Sequence, residues 1–224
     1  MQNNKMTIEN IPEYDFSIIE MIKEGFIRIE GVKLTFVLAF LIYMAIAIVL
    51  NILLSLIFPS PVDNPNILNQ QIVGILSYPV LIPLMVGMMM LAIKHSRGES
   101  IEYKSMFDYY HMIGHLSLAG ILIYIITLIG FLLLILPGIY LSIAYVFALP
   151  LIADKGLDVW DAMELSRKAV TKNWFKVFGL MFLLGLIFGL GALALGIGLV
   201  WAIPLMFVTL YGLLYPLIFD GVGV

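Results

Sequence analysis

The sequence predicts an all-α membrane bundle: six transmembrane helices in three hairpins, each hairpin preceded by an amphipathic interfacial helix. Three observations carry this expectation. Of 224 residues, 62% are hydrophobic and 12% charged, with a mean hydropathy of +1.06; soluble domains run about 45–50% apolar and about 25% charged. Apolar stretches of the ~20 residues needed to cross a hydrocarbon core recur along the chain. The 12 Lys and Arg residues gather in alternate connections. The net charge of −3 matters less than where the basic residues sit. Without cysteine there is no disulfide framework, thiolate nucleophile or thiolate metal site.

Residues 1–33 read as a polar N-terminal segment, loose to residue 13, without the basic and apolar regions of a cleavable signal. Asp15 is the expected N-cap of a first helix with Ile18, Ile19, Ile22, Phe26 and Ile29 on one face. The membrane domain covers 34–219, in hairpins 34–93, 116–153 and 177–219, with a tail at 220–224. Spans one and two are 34–58 and 71–93, the second kinked at Pro79 and Pro83. Ser100 is the expected cap of a second surface helix, with Tyr103, Met106, Phe107, Tyr110 and Ile113 on its apolar face. Span three is 116–136, Pro137 and Gly138 form the turn, and span four is 138–153. At 1.5 Å per residue that last stretch reaches only about 24 Å. Two arrangements stay open, a full crossing with local thinning and a re-entrant hairpin.

Asp158 caps a third amphipathic helix with a stripe of Trp160, Met163, Val170 and Trp174 and a Glu164–Lys168 pair on the wet face. Span five (about 177–195) carries a small-residue row, Gly185, Gly189, Ala192 and Gly196, suited to helix packing. Span six (about 198–219) contains Pro204 and Pro216; Pro150 is a further expected kink. Lys5, Lys23, Arg28 and Lys33 precede span one. Lys94, Arg97 and Lys104 follow span two. Lys155, Arg167, Lys168, Lys172 and Lys176 follow span four. The positive-inside rule then places both termini in the cytoplasm of a cell (inner) membrane protein. Short echoes suggest a threefold repeat: Pro150 to Asp154 matches Pro216 to Asp220, and Pro83 to Met85 matches Pro204 to Met206.

Through Leu136, Pro137, Gly138, Pro150, Asp154, Trp160, Ala162 and Ser166, residues 130–180 resemble a group of uncharacterised prokaryotic polytopic membrane proteins. That group is related in pattern to the membrane domain attached to some glycerophosphodiester phosphodiesterases. The resemblance implies a bundle of about six helices and no catalysis, since the phosphodiesterase chemistry there belongs to a separate soluble domain.

Few constellations could carry chemistry. Asp108, His111 and His115, at i, i+3 and i+7, are weak candidate metal ligands, and Met85, Met88, Met89 and Met90 could offer thioethers but suit apolar packing. The spans hold no Asp, Glu, Lys or Arg, which argues against ion-coupled transport. Asn51, Ser77, Thr127, Ser142, Thr209 and the tyrosines are the polar groups available to an oligomeric pore or to interhelical hydrogen bonds. Trp160, Arg167, Lys168, Lys172 and Trp174 are the expected interfacial, lipid or partner contacts. The expected function is that of a non-enzymatic scaffold, assembly or regulatory component, the alternative being an oligomeric channel or carrier for a lipid or small apolar solute. No cofactor is expected. The expected partners are membrane lipids and a second copy of the chain or another membrane protein, not nucleic acid.

Overall fold

A computed structural model describes residues 11–60, 66–193 and 196–221. The expectations for residues 1–10, for the middle of the 59–70 connection and for the end of the tail lie outside the described residues. Those described residues form helices: α1 (Ile18–Arg28), α2 (Lys33–Ile57), α3 (Ile67–Ser96), a 3₁₀ segment (Tyr103–Met112), α4 (Ile113–Leu133), α5 (Ile135–Ala144), α6 (Ala148–Lys155), α7 (Val159–Lys172), α8 (Trp174–Leu193) and α9 (Leu199–Phe207). A π-helical stretch (Val208–Leu214) and α10 (Tyr215–Phe219) complete the last rod. Six stretches are long and apolar enough to cross a membrane: Lys33–Ile57, Ile67–Ser96, Tyr103–Leu133, Ile135–Lys155, Trp174–Leu193 and Leu199–Phe219.

The core forms where α3 meets the last rod, α6 and α7. Leu84, Met88, Leu91, Ile93, Leu151, Leu214 and Tyr215 are buried there, and the π-helical stretch is buried throughout. Phe147 meets Tyr211, Tyr215 and Phe219 edge-on. Glycines set the closest approaches. A Cβ at Gly87 would overlap the Met106 backbone, and one at Gly212 would stand 3.1 Å from the Ala92 carbonyl. In contrast α2 presents Leu41, Met44, Ile48, Ile52 and Leu56 outward.

Prolines are absorbed differently at each site. Pro79 and Pro83 lie inside an α3 that continues through both. Pro150 sits in the first turn of α6, where its missing N–H has no intrahelical partner to lose. Pro204 and Pro216 bracket the π-helical stretch, whose Tyr215 N–H reaches back to the Leu210 carbonyl. That widened turn lies where the Pro216 ring would crowd the carbonyl four residues earlier.

Several local expectations are corrected. Ser17, in extended geometry, caps α1 by accepting from the Glu20 N–H, while Asp15 accepts from the Phe16 N–H. The buried face of α1 is Met21, Gly25 and Ile29, leaving Ile19 and Phe26 exposed. The second surface helix is 3₁₀, without a side-chain cap. Its three-residue turn stacks i on i+3, so Met106 and Tyr109 are buried while Phe107 and Ile113 are exposed. The turn between α4 and α5 falls at Leu134, the one extended residue there (φ −162°, ψ 151°). Pro137 and Gly138 are instead inside the first turns of α5, where Gly138 lets Phe131 and Gly130 approach.

The fourth apolar stretch therefore runs 21 residues, Ile135–Lys155, but it is broken at Tyr145–Phe147. Ser166 of α7 repairs the break. Its buried hydroxyl accepts from the Phe147 N–H (3.2 Å) and donates to the Ala144 carbonyl (2.7 Å). In this way α7 packs lengthwise along α5 and α6. It buries Val159, Ala162, Met163, Leu165, Ser166, Ala169 and Val170, and Trp160 points away, exposed. Met163 and Val170 of the expected stripe are buried and Trp174 packs against Tyr140, while Trp160 departs from it, because α5–α6 also cover Ala162, Ser166 and Ala169.

Candidate functional site

Arg97, just beyond α3, reaches the ends of both α6 and α10. Its guanidinium donates to Asp154 from Nη1 (2.5 Å) and Nη2 (2.7 Å), and to Asp220 Oδ2 from Nε (3.1 Å) and Nη2 (2.8 Å). Lys155 Nζ donates to Asp220 Oδ1 at 2.6 Å and stands 3.2 Å from Asp154; the Tyr215 hydroxyl donates to Asp154 at 2.9 Å. Two cations face two carboxylates, so the network is electrically closed. Asp154 and Asp220, the aspartates of the two sequence echoes, meet on one guanidinium. Gly156 (φ 63°) and Gly221 (φ 68°) end these helices in left-handed geometry and turn the chain away. Hydrogen bonding to Asp154 holds the Arg97 pKa above its ordinary value.

A second set of contacts straps the N-terminal segment onto α7. The Tyr14 hydroxyl donates to the Ala169 carbonyl at 3.0 Å and Lys172 Nζ to the Ile11 carbonyl at 2.6 Å. The Asn173 amide donates to the Tyr14 carbonyl, and Lys176 pairs with Asp15. The Lys176 hydrogen bond holds the exposed Asp15 carboxyl below its ordinary pKa. At the same end of α7, the Tyr140 and Thr171 hydroxyls are 2.7 Å apart and the Trp174 indole N–H donates to the Tyr140 carbonyl at 3.3 Å. Trp174 also stacks on Phe178.

The third feature is an open groove of about 360 Å³ between α2 and α3, with Leu149 of α6 at one side. Tyr43, Asn51, Gly74, Ser77 and Tyr78 are its polar and small-residue lining. Ser77 is satisfied locally by the Val73 carbonyl at 2.7 Å. Among the described residues, no side-chain hydrogen bond involves Tyr43, Asn51 or Tyr78.

The remaining candidates fall as follows. Asp108, His111 and His115 do not assemble: the His111 ring is 2.6 Å from the Asp108 carbonyl, and no group of three metal-capable side chains forms among the described residues. The switch from 3₁₀ to α geometry at Ile113 breaks the i, i+3, i+7 register. Met88, Met89 and Met90 are buried in the core. The hydroxyls of half-buried Thr127 and buried Thr209 have no hydrogen-bond partner, and Ser142 donates to the Ile139 carbonyl. Arg167 and Lys168 both pair with Glu164. Gly185 and Gly189 face open space, where a Cβ would meet no neighbouring atom within 4 Å. Ala192 is exposed, and Gly196 lies in a turn with φ 78°. Intrachain packing uses Gly191 against Gly198 instead.

Arg97 was not among the expected site residues. The echo between Pro150–Asp154 and Pro216–Asp220 was the available signal, since two repeated acids in one setting call for a shared cation. No family model matches the chain, and no curated protein or solved structure matches it.

Proposed function

We propose that the protein is a non-enzymatic component of the cell (inner) membrane, acting as a scaffold, assembly or regulatory element through the face on which its Lys and Arg residues gather. The observation that carries this reading is the way that face is built. The α7 strap and the Arg97 network join the N-terminal segment, α3, α6 and α10 into one fixed surface. Within it Arg97 and Lys155 pair with Asp154 and Asp220, and Lys176 pairs with Asp15. The interior supports the absence of a hydrated path through a single chain: Ser77, Ser166 and Thr209 are the buried polar residues among those described. The positive-inside rule puts this face and both termini in the cytoplasm.

The same reading treats α4–α5 as a re-entrant hairpin. Thr171 and Trp174 stand at Tyr140, and the tip at Leu134 is six residues further, about 9 Å of helix. A crossing needs roughly 30 Å. With the charged end of α7 at headgroup level, the tip enters one leaflet and turns back.

Purified protein in liposomes tests the function. No movement of ions, polar solutes or labelled lipid above protein-free vesicles is expected. Flux of any of them overturns the scaffold reading in favour of a channel or carrier.

A further inference from the structure

We infer that α8 and α9 do not cross the bilayer but form a second re-entrant hairpin, whose partner is the acyl-chain layer of the cytoplasmic leaflet. The choice of leaflet rests on the orientation in the scaffold reading; the function proposed there plays no part. A crossing would carry the start of α9 to the far headgroups. Instead Trp201 shares an open recess of about 380 Å³ with Ile27, Glu30 and Lys33, and Lys33 Nζ stands 5.8 Å from the centre of its ring. The contact continues along α1. Gly25 lies against Leu205 and Thr209, and Glu20 and Lys23 of the same helix are exposed. The first half of the last rod is thus flanked by charged groups that belong in water or among headgroups. Its other end is held at Asp220 by Arg97. His95 Nε2, two residues before Arg97, lies 3.0 Å from the Arg28 carbonyl, so the segment that meets Trp201 is anchored at the Arg97 end of α3. From Trp201 back to the turn at Gly196 is five residues, about 8 Å of helix, where a crossing needs roughly 30 Å.

The turn itself suits hydrocarbon. Residues 190–200 are only Gly, Ala, Leu, Ile and Val, whereas the 59–70 connection holds Ser60, Asp63, Asn64, Asn66, Asn69 and Gln70. A polar connection fits an aqueous surface; an apolar one fits acyl chains. The Gly196 N–H donates to the Ala192 carbonyl, and those of Leu199, Val200 and Trp201 donate to Gly196, Ile197 and Gly198. These groups therefore bring their own partners into a medium that offers none. Along α8, Phe178, Phe182, Leu186, Leu190 and Leu193 are exposed while Val177, Leu180 and Leu184 are buried. One side of that helix rests on protein and the other is left for acyl chains.

Cysteine variants of the full, cysteine-free chain test the hairpin in intact cells and in inside-out vesicles, with an impermeant maleimide. Trp160→Cys marks the cytoplasmic side. Ile197→Cys should not react from the side opposite Trp160→Cys, yet should react fully once the protein is unfolded in detergent. In the membrane-bound protein Lys33→Cys/Trp201→Cys should join through a short bismaleimide, a link that a crossing α9 would forbid. Ile197 is exposed and Lys33 and Trp201 line an open recess, so these variants should melt close to the parent. Reaction of Ile197→Cys from the side opposite Trp160→Cys overturns the inference. So does a folded Lys33→Cys/Trp201→Cys that fails to cross-link. An inverted protein, with Trp160→Cys reacting in intact cells, would overturn the orientation and the choice of leaflet, while the comparison of Ile197 with Trp160 still decides the hairpin.

Discussion

The Arg97 guanidinium grips Asp154 through two parallel hydrogen bonds, 2.5 and 2.7 Å long, and thereby fastens the end of α3 to the end of α6. The Asp154 side chain is only 6% exposed and that of Arg97 30%. Removing Arg97 leaves a nearly buried carboxylate without its main partner. Arg97→Ala should lower stability by about 2–3 kcal/mol, below the 3–5 typical of fully buried pairs because Arg97 is partly wet. Arg97→Lys should recover only part of this, since an ammonium cannot reproduce the fork. Thermal unfolding in detergent measures both; a melting point unchanged in Arg97→Ala would remove the network from the account of stability.

Ser166 gives a second test. Ser166→Ala strips the acceptor from the Phe147 N–H and the donor from the Ala144 carbonyl at the break in α5–α6. The cost should be about 1–3 kcal/mol, the range for leaving buried polar groups unmade. Ser166→Thr, which keeps the hydroxyl, should be milder only where the added methyl fits. Hydrogen exchange at Tyr145–Ala148 should rise in the alanine variant, and unchanged protection there would rule out the repair.

Two sets of glycines should respond oppositely. Gly87→Ala puts a methyl into the Met106 backbone, an overpacking worth about 1–3 kcal/mol. Gly185→Leu and Gly189→Leu meet nothing within the chain and should leave the stability of an isolated copy unchanged. If they also leave oligomeric state unchanged on size-exclusion light scattering, the packing role expected for that row is refuted between chains as well as within one.

The topology is open to cysteine labelling because the chain has no cysteine of its own. An impermeant maleimide applied outside intact cells should reach Leu68→Cys and miss Trp160→Cys. It should also miss Leu134→Cys, at the tip of α4–α5. Strong outside labelling at Leu134 would show that this pair of helices crosses fully.

Acid should release the N-terminal strap. The hydrogen bond from Lys176 depresses the Asp15 pKa. The ion pair therefore contributes fully above the unfolded-state value and is lost as pH falls through the lower, folded-state value. Amide exchange over residues 14–20 should rise on acidification through the carboxylate range. Asp15→Asn should show the same rise at neutral pH, and its absence in both would exclude the pair as a tether.

Much of the architecture was legible because hydrocarbon imposes a strong one-dimensional code. Length and hydropathy located six apolar helices within a few residues of where they stand. Local chemistry also read correctly at the Glu164–Lys168 pair, 3.5 Å apart. Boundaries read less well where two signals compete. Pro137 and Gly138 look like a turn, yet proline fits the first turn of a helix equally well, and the extended residue is Leu134. The 3₁₀ segment hid behind an α-like pattern, since residues three and four apart are both apolar there.

Composition and spacing alone specify an all-helical, membrane-competent chain with its basic residues gathered in alternate connections, because both act locally and need no partner. Which faces are used depends on how the helices pack together. That packing turned α7 from a surface stripe into a brace whose Ser166 mends α5–α6. It brought Arg97 onto two aspartates 57 and 123 residues away, and it set the Tyr78 side chain of α3 against Gly120 of α4. Each of these depends on which helices become neighbours, and long-range packing of near-uniform apolar surfaces leaves little periodic trace from which to read it.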